Sequence, residues 1–141
     1  MSTAEPVQSR LAIVLRQELL TWQRLNVTAF LSSSIAVNTE PSAMGETYVD
    51  ASGRGYGEMF AQPVMVFEAS AEVLKGAYLA ALEEKMIVRV FPDVLFTTGN
   101  DADNRAAFAK LAPAQMSVAG LALLGGRNRI SKLLSGARKH P

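Results

Sequence analysis

Leu11-Ala12-Ile13-Val14-Leu15 is an apolar run that stops at Arg16, and a helical pattern begins a few residues later, near Thr21. An apolar run of this length is typical of a strand in the centre of a sheet. Because the strand leads directly into a helix, the stretch predicts the first unit of an α/β domain. Open α/β sheets bind ligands beyond the carboxyl ends of their strands. The polar residues at this junction are Arg16, Glu18, Gln23, Arg24, Asn26 and Thr28.

Length and composition predict one compact domain. The 141 residues are enough to bury one hydrophobic core and too few for two ordinary domains, so residues 1–141 are expected to fold as a unit. No apolar stretch approaches the roughly 20 residues that cross a bilayer, and the first residues lack the pattern of a secretion signal. The absence of cysteine excludes disulfides and zinc-thiolate sites. We therefore expect a cytoplasmic protein without a membrane partner.

The chain divides into three parts by its pattern. Residues 10–37 hold the first strand and helix, and residues 63–141 hold the remaining strands and helices. Residues 38–62 are rich in turn formers and predict an irregular excursion, with a hairpin across residues 51–53. Further strands are expected at 63–67, 87–91 and 117–124, which makes four strands in all and predicts a sheet flanked by helices.

Polar residues at two helix starts predict where those helices begin. Ser70 is expected to cap the helix after the second strand. Asn100 or Asp101 is expected to cap a short helix over residues 102–111. A last helix is predicted after the glycine pair at 125–126.

The first helix is apolar on nearly all sides. Such a helix needs cover on two faces. One face is expected to pack on the sheet, and the other to meet a second element or a partner subunit. Trp22, Leu25, Ala29 and Ala36 lie along one side, and Val27, Leu31 and Ile35 along the other.

Charge is distributed unevenly along the chain. Residues 1–103 hold all 13 acidic and seven basic residues, for a net charge of −6. Residues 104–141 hold seven basic residues and no acid, for +7. A basic end of this kind attracts RNA or an anionic ligand, or it pairs with the acidic part of the same fold.

A polar group follows the third strand. Asp93 stands there, and a carboxylate beside hydroxyl groups can act as a general base or orient a water. The alternative is that these side chains only cap turns and the next helix. The other members of the group are Thr97, Thr98, Asn100 and Asp101.

A second candidate, Gly125-Gly126-Arg127-Asn128-Arg129, joins the fourth strand to a basic helix start. Free amides and two guanidinium groups make an anion cradle there, whereas the alternative is a tight turn that needs glycine. The pattern is neither a P-loop nor a dinucleotide fingerprint, so no cofactor is predicted. His140 is the single histidine, which leaves no histidine metal site or serine-histidine-aspartate triad.

Several segments together resemble a known family. They include Trp22-Gln23-Arg24-Leu25-Asn26, Tyr48-Val49-Asp50-Ala51-Ser52-Gly53, Val90-Phe91-Pro92-Asp93 and Thr98-Gly99-Asn100-Asp101. On these segments the chain resembles an uncharacterised bacterial family, domain of unknown function 2000, which is related in fold to the type two peptidyl-tRNA hydrolases. The resemblance implies a mixed four-stranded sheet and a homodimer.

The resemblance to the hydrolases carries over only in part. Their aspartate after the third strand, with a threonine four residues later, corresponds to Asp93 and Thr97. Their glycine-lysine pair at the start of the first helix has no counterpart near Arg24, Leu25 and Asn26. A guanidinium at Arg24 could supply a charge but not a tunable proton donor.

Three functions follow from these observations. The first is a protein that binds a small anionic or acyl-type ligand. The second is a hydrolase or transferase acting on an aminoacyl or peptidyl ester, in which Asp93 orients water and Thr97 or Asn26 donates to the oxyanion. The third is a regulatory dimer whose basic end contacts RNA, such as tRNA, or an acidic partner. The ligand-binding residues expected are Arg24, Thr28, Thr98, Asn100 and Arg127, with Asn26 and Asp93 beside them.

Overall fold

The computed structural model describes residues 9–141. They form a five-stranded sheet with α-helices on both faces. Short helical turns at Asp93–Thr97 and Pro113–Gln115 connect the larger elements. The elements are β1 Ser9–Arg16, α1 Thr21–Ala36, β2 Val64–Ala69, α2 Ala71–Leu82, β3 Ile87–Pro92, α3 Asp101–Phe108, β4 Val118–Gly126, α4 Arg127–Leu133 and β5 Arg138–Lys139.

The strand order in the sheet is β3-β4-β1-β2-β5. β1 pairs with β2 in parallel, and the other neighbouring strands are antiparallel, so the sheet is mixed. The expected count of four strands is wrong, because Arg138–Lys139 adds a fifth that pairs with Phe67 and Glu68. A two-residue strand is too short to show a period-two pattern. Its position depends on contacts with Glu68, which lies 70 residues earlier in the chain.

The core consists of two layers, one on each face of the sheet. Leu11, Ile13 and Leu15 of β1 face α1, while Ala12 and Val14 face α2 and α4. Burial on both faces explains why β1 is apolar at every position from Leu11 to Leu15. One face of α1 packs on the sheet as expected, through Val27, Leu31 and Ile35.

The predicted hairpin in residues 38–62 is confirmed. Residues 44–60, which we call the arm, form a narrow antiparallel ribbon with bridges between Met44 and Phe60 and between Val49 and Gly55. The carboxylate of Asp50 accepts hydrogen bonds from the backbone N–H of Ser52 at 2.9 Å and of Arg54 at 3.0 Å. It also accepts from the Ser52 and Tyr56 hydroxyls, and these bonds hold the pKa of Asp50 far below its usual range. The tip of the arm is therefore a defined turn.

Local signals located two other helix starts correctly. Ser70 accepts a hydrogen bond from the Val73 N–H at the start of α2. Asn100, rather than Asp101, caps α3 by accepting from the Asp103 N–H. In residues 9–141 no helix combines the length and the apolar character needed to cross a bilayer.

Candidate functional site

A cleft of about 870 Å³ lies beside α1, at the β3 edge of the sheet. Its volume falls within the range of roughly 300–1,000 Å³ that is typical of small-molecule sites. The segment from residue 95 to residue 109, which contains α3, borders the cleft together with β3. α1 contributes residues spaced one helical turn apart, so they form a single row along one side. That row is Trp22, Asn26, Phe30 and Ser34.

Aromatic side chains form the apolar part of the cleft. The rings of Trp22 and Phe96 meet edge to face with centroids 5.9 Å apart. Phe91 contacts both Phe96, at 5.3 Å, and Phe30, at 5.9 Å. Trp22 and Phe30 nevertheless remain 53% and 56% exposed. Large aromatic surface left open in a concave site is a common mark of ligand binding.

Amide and hydroxyl groups also border the cleft. The Asn26 amide nitrogen donates to the Trp22 carbonyl oxygen at 3.0 Å. The Thr98 hydroxyl donates to the Leu95 carbonyl oxygen at 2.9 Å and also contacts the Asn104 side chain. Asn100 lines the cleft while it caps α3. The structure thus brings Asn26, Thr98 and Asn100 together, three of the residues that the sequence nominated.

Two arginines line the cleft, and one of them is unpaired among the residues that the structure describes. Arg105 is neutralised by Asp101, with Nε 2.7 Å from the carboxylate. Arg89 donates to the carbonyl oxygens of Ser34 at 3.3 Å and Val88 at 3.2 Å. Among residues 9–141 no carboxylate forms an ion pair with Arg89, so its charge is available to an anionic group.

Asp93 and Thr97 do not line this cleft. One carboxylate oxygen of Asp93 accepts from the Ser117 hydroxyl at 2.6 Å and from Arg16 at 3.1 Å. The Thr97 hydroxyl donates to the Val94 carbonyl oxygen at 2.7 Å, within its own helical turn. The structure therefore separates the expected catalytic pair from Asn26.

Arg24 and Thr28 lie away from the cleft as well. The Arg24 guanidinium is 2.8 Å from the Glu68 carboxylate and donates to the Leu19 carbonyl oxygen at 3.1 Å. Arg138 binds the same carboxylate, with Nε 2.6 Å from Oε1. Hydrogen bonds from Arg24 first, and then from Arg138, hold the pKa of Glu68 below its usual value. The Thr28 hydroxyl donates to the Arg24 carbonyl oxygen at 2.8 Å.

Arg127 lies at the opposite end of the sheet from Asp93. It follows Gly126, which pairs with Ser9 at the start of β1, whereas Asp93 follows the pairing of Pro92 with Val118. At roughly 3.3 Å per strand residue, the eight residue steps from Val118 to Gly126 place these two ends about 26 Å apart. Arg127 is also absent from the residues that line the cleft, so the anion cradle expected there is not part of it.

Sequence reasoning missed the aromatic residues of the cleft. Phe30, Phe91 and Phe96 stand in different elements, and only the tertiary structure brings their rings together. One signal in the sequence could have located part of the cleft. Residues spaced i, i+4 share one helix face, and Trp22, Asn26, Phe30 and Ser34 have this spacing. No group of three potential metal ligands occurs in the part of the chain that the structure describes.

Comparison with known proteins identifies the family of this chain. Residues 9–141 match the family described as protein of unknown function, DUF2000. The chain belongs to the DUF2000 family. A solved structure from Agrobacterium tumefaciens strain C58, also described as a protein of unknown function, is 35% identical to this DUF2000 protein, with a TM-score of 0.86. The match covers 94% of this chain and 98% of that one. A search of curated proteins found no match.

Proposed function

We propose that this DUF2000 protein binds a small ligand with an apolar, acyl-type or aromatic body and an anionic end in the cleft beside α1. The observation that carries the proposal is the joint exposure of Trp22 and Phe30 in a concave site that also holds Phe91 and Phe96. Exposed aromatic surface of this size is unfavourable in water unless a partner covers it. Burial against a ligand would recover that free energy.

The charges of the cleft support the anionic end of the ligand. Arg89 has no acidic partner among the described residues, and its guanidinium can bind a carboxylate with two parallel hydrogen bonds. Asn26, Thr98 and Asn100 offer further donors and acceptors that would orient the ligand.

An alternative, ester hydrolysis, would rest on the proposed kinship with type two peptidyl-tRNA hydrolases. Its support is the position of Asp93, which lies beyond β3 and is held by Arg16 and Ser117. Binding takes precedence because Asp93 and Thr97 lie outside the cleft that holds Asn26.

The binding proposal can be tested with 8-anilinonaphthalene-1-sulfonate, which has an aromatic body and one negative charge. Trp22 is the single tryptophan of the chain, so its emission reports directly on the cleft. We expect the probe to quench Trp22, and decanoate to displace it more strongly than decanol, which has no charge to pair with Arg89. Phe30→Ala should weaken probe binding about tenfold, the equivalent of about 1.4 kcal/mol.

Tyr48→Ala is the matched control for Phe30→Ala. Tyr48 is an aromatic residue of the arm, 53% exposed, and it does not line the cleft. This variant should bind the probe like the wild type. Equal probe affinity in wild type and Phe30→Ala, or unchanged Trp22 emission at saturation, would contradict the proposal.

A further inference from the structure

The hydrogen bonds of the sheet show which backbone groups of β1 face each neighbour. The Gln17 N–H donates to the Ala69 carbonyl oxygen at 2.9 Å, so the backbone of residue 17 points toward β2. Along a strand, the N–H and C=O of one residue point to the same side, and successive residues alternate. The odd-numbered residues of β1 therefore bond to β2 and the even-numbered residues bond to β4.

The same alternation passes through β4 to β3. Ala12 stands opposite Leu123, and because Ala12 faces β4 these two residues form the hydrogen-bonded pair. The neighbour of Leu123, Ala122, then points to the other side and bonds to Arg89. The backbone N–H and C=O of Arg89 point toward β4. Those of its neighbours Val88 and Val90 therefore point to the outer edge of the sheet.

The outer edge of β3 borders the cleft. The side chains of Val88 and Val90 pack against the core beneath α2 and α4, whereas Phe91 packs on the α1 side. Residues from both faces of β3 nevertheless line the same cleft, which requires the cleft to reach the backbone edge between them. Arg89 donates to the outward Val88 carbonyl oxygen at 3.2 Å, as the alternation requires. Within residues 9–141, the N–H and C=O of Val90 have no hydrogen-bond partner.

The row on α1 has a spacing that suits an extended chain. Residues four apart on a helix are about 6.0 Å apart along its axis, and alternate residues of a strand are about 6.6 Å apart. Side chains of an extended peptide could therefore contact successive members of the row. Aromatic members, Trp22 and Phe30, alternate with the polar members Asn26 and Ser34.

Charge and strand length restrict such a peptide. Arg89 is the charged residue of the edge strand, and its lack of a described acidic partner favours a peptide that carries a carboxylate. Pro92 ends β3, so only a short segment can pair with it.

We propose that the ligand of the cleft is an extended apolar peptide segment with an acidic residue, which adds to the sheet as a strand beside β3. The inference rests on the proposed ligand-binding function of the same cleft and names its ligand class. Backbone pairing with Val88 and Val90 supplies affinity, and the aromatic members of the α1 row select apolar side chains.

The test uses an acetylated five-residue peptide in which leucine and threonine alternate and glutamate is last. Its binding to the wild-type protein is followed by Trp22 emission and calorimetry. Two further peptides have the same sequence with N-methylated backbone amides. In one of them the odd-numbered residues are methylated, and in the other the even-numbered residues. Alternate N–H groups of a strand point to opposite sides, so one methylated peptide should bind at least about tenfold more weakly. The other should bind like the parent peptide.

Val90→Pro tests the same contact from the protein side. It removes an outward N–H without removing a bond to β4, and proline is tolerated at such edge positions. We expect at least about tenfold weaker peptide binding. Thr47→Pro is the matched control, because Thr47 lies in the arm, outside the cleft, and the bonds of its neighbour Tyr48 direct its N–H outward. That variant should bind the peptide like the wild type.

The possible outcomes separate this inference from the proposed function. Equal binding of both methylated peptides to the wild type overturns strand addition, even if Val90→Pro fails to fold. If the naphthalene sulfonate binds and no peptide does, ligand binding stands and this inference falls; if neither binds, both fall. A wild-type dimer that becomes monomeric with Val90→Pro and never binds peptide would assign the edge to a second copy and overturn the proposal.

Discussion

At the scale of single residues, Glu68 connects three parts of the chain. Its side chain is only 4% exposed and binds Arg24 of α1 and Arg138 of β5. The backbone N–H of His140 adds a bond to the Val66 carbonyl oxygen at 3.0 Å. The C-terminal segment is therefore attached to β2 through one buried carboxylate and its neighbouring backbone.

Glu68→Gln should lower the free energy of unfolding at neutral pH and make it depend less on pH in the acidic range. The folded-state pKa of Glu68 lies below the usual 4.5, so its stabilising effect is complete above that pH and is lost as the pH falls through the lowered value. Urea midpoints of wild type and variant should differ at neutral pH and converge below pH 4.5.

Glu58→Gln is the control for that series, because Glu58 is exposed in the arm and has no ion pair in the described part of the chain. Its urea midpoint should follow the wild type at every pH. A constant difference between Glu68→Gln and the wild type across the series would show that the ionisation of Glu68 does not contribute.

At the scale of elements, the contact of α1 with the sheet depends on Gly120 in β4. A Cβ built at this position would overlap Val27 and come within 3.1 Å of Leu31, both on the buried face of α1. Because both neighbours are fully enclosed in the core, neither can move freely. The absence of a side chain at residue 120 thus sets how closely α1 approaches β4.

Gly120→Ala should lower the free energy of unfolding by about 1–3 kcal/mol through overpacking. Gly76→Ala is the control, since Gly76 lies exposed in α2 with no atom within 4 Å of a built Cβ. It should raise stability by about 0.5–1 kcal/mol, because alanine favours a helix over glycine. Both values are measured by urea unfolding, and equal stability of Gly120→Ala and wild type would contradict the packing argument.

At the scale of the whole molecule, three of the seven basic residues in 104–141 pair with acidic residues of the same chain. Arg129 binds Glu84 at 3.0 Å, Arg105 binds Asp101, and Arg138 binds Glu68. For these three residues, the partner is an acidic side chain of the same fold. Nucleic-acid binding by the basic end stays a prediction that rests on the remaining cations, which are Lys110, Arg127, Lys132 and Lys139.

The expected homodimer concerns the outer face of α1, and it also stays a prediction. Leu25 is 67% and Val37 59% exposed, and the face between them, with Ala29 and Ser33, carries no charge. In a twofold interface each residue patch meets its own copy, so an uncharged apolar patch can pair without like-charge repulsion. A second copy is therefore the partner that this face suits.

Leu25→Glu should convert the expected dimer to a monomer, since it places a carboxylate in the apolar twofold contact, where burial of an unpaired charge is unfavourable. Light scattering during size exclusion measures the mass. Leu79→Glu, at a leucine of α2 that is 38% exposed, is the matched control and should remain dimeric. A monomeric wild type, or a dimeric Leu25→Glu, would contradict this assembly.

The sequence by itself determined the α/β class, the order of the main elements, the buried face of α1, the capping role of Ser70 and a cap of α3 at Asn100 or Asp101. These depend on local periodicity and on hydrogen bonds between residues three apart, which a sequence displays directly. Only the tertiary structure decided that β5 exists, that Asp93 binds Ser117 instead of joining Asn26, and that an open strand edge borders an aromatic cleft. Those features depend on contacts between distant residues and on the alternation of backbone bonds across three strands, which no local pattern specifies.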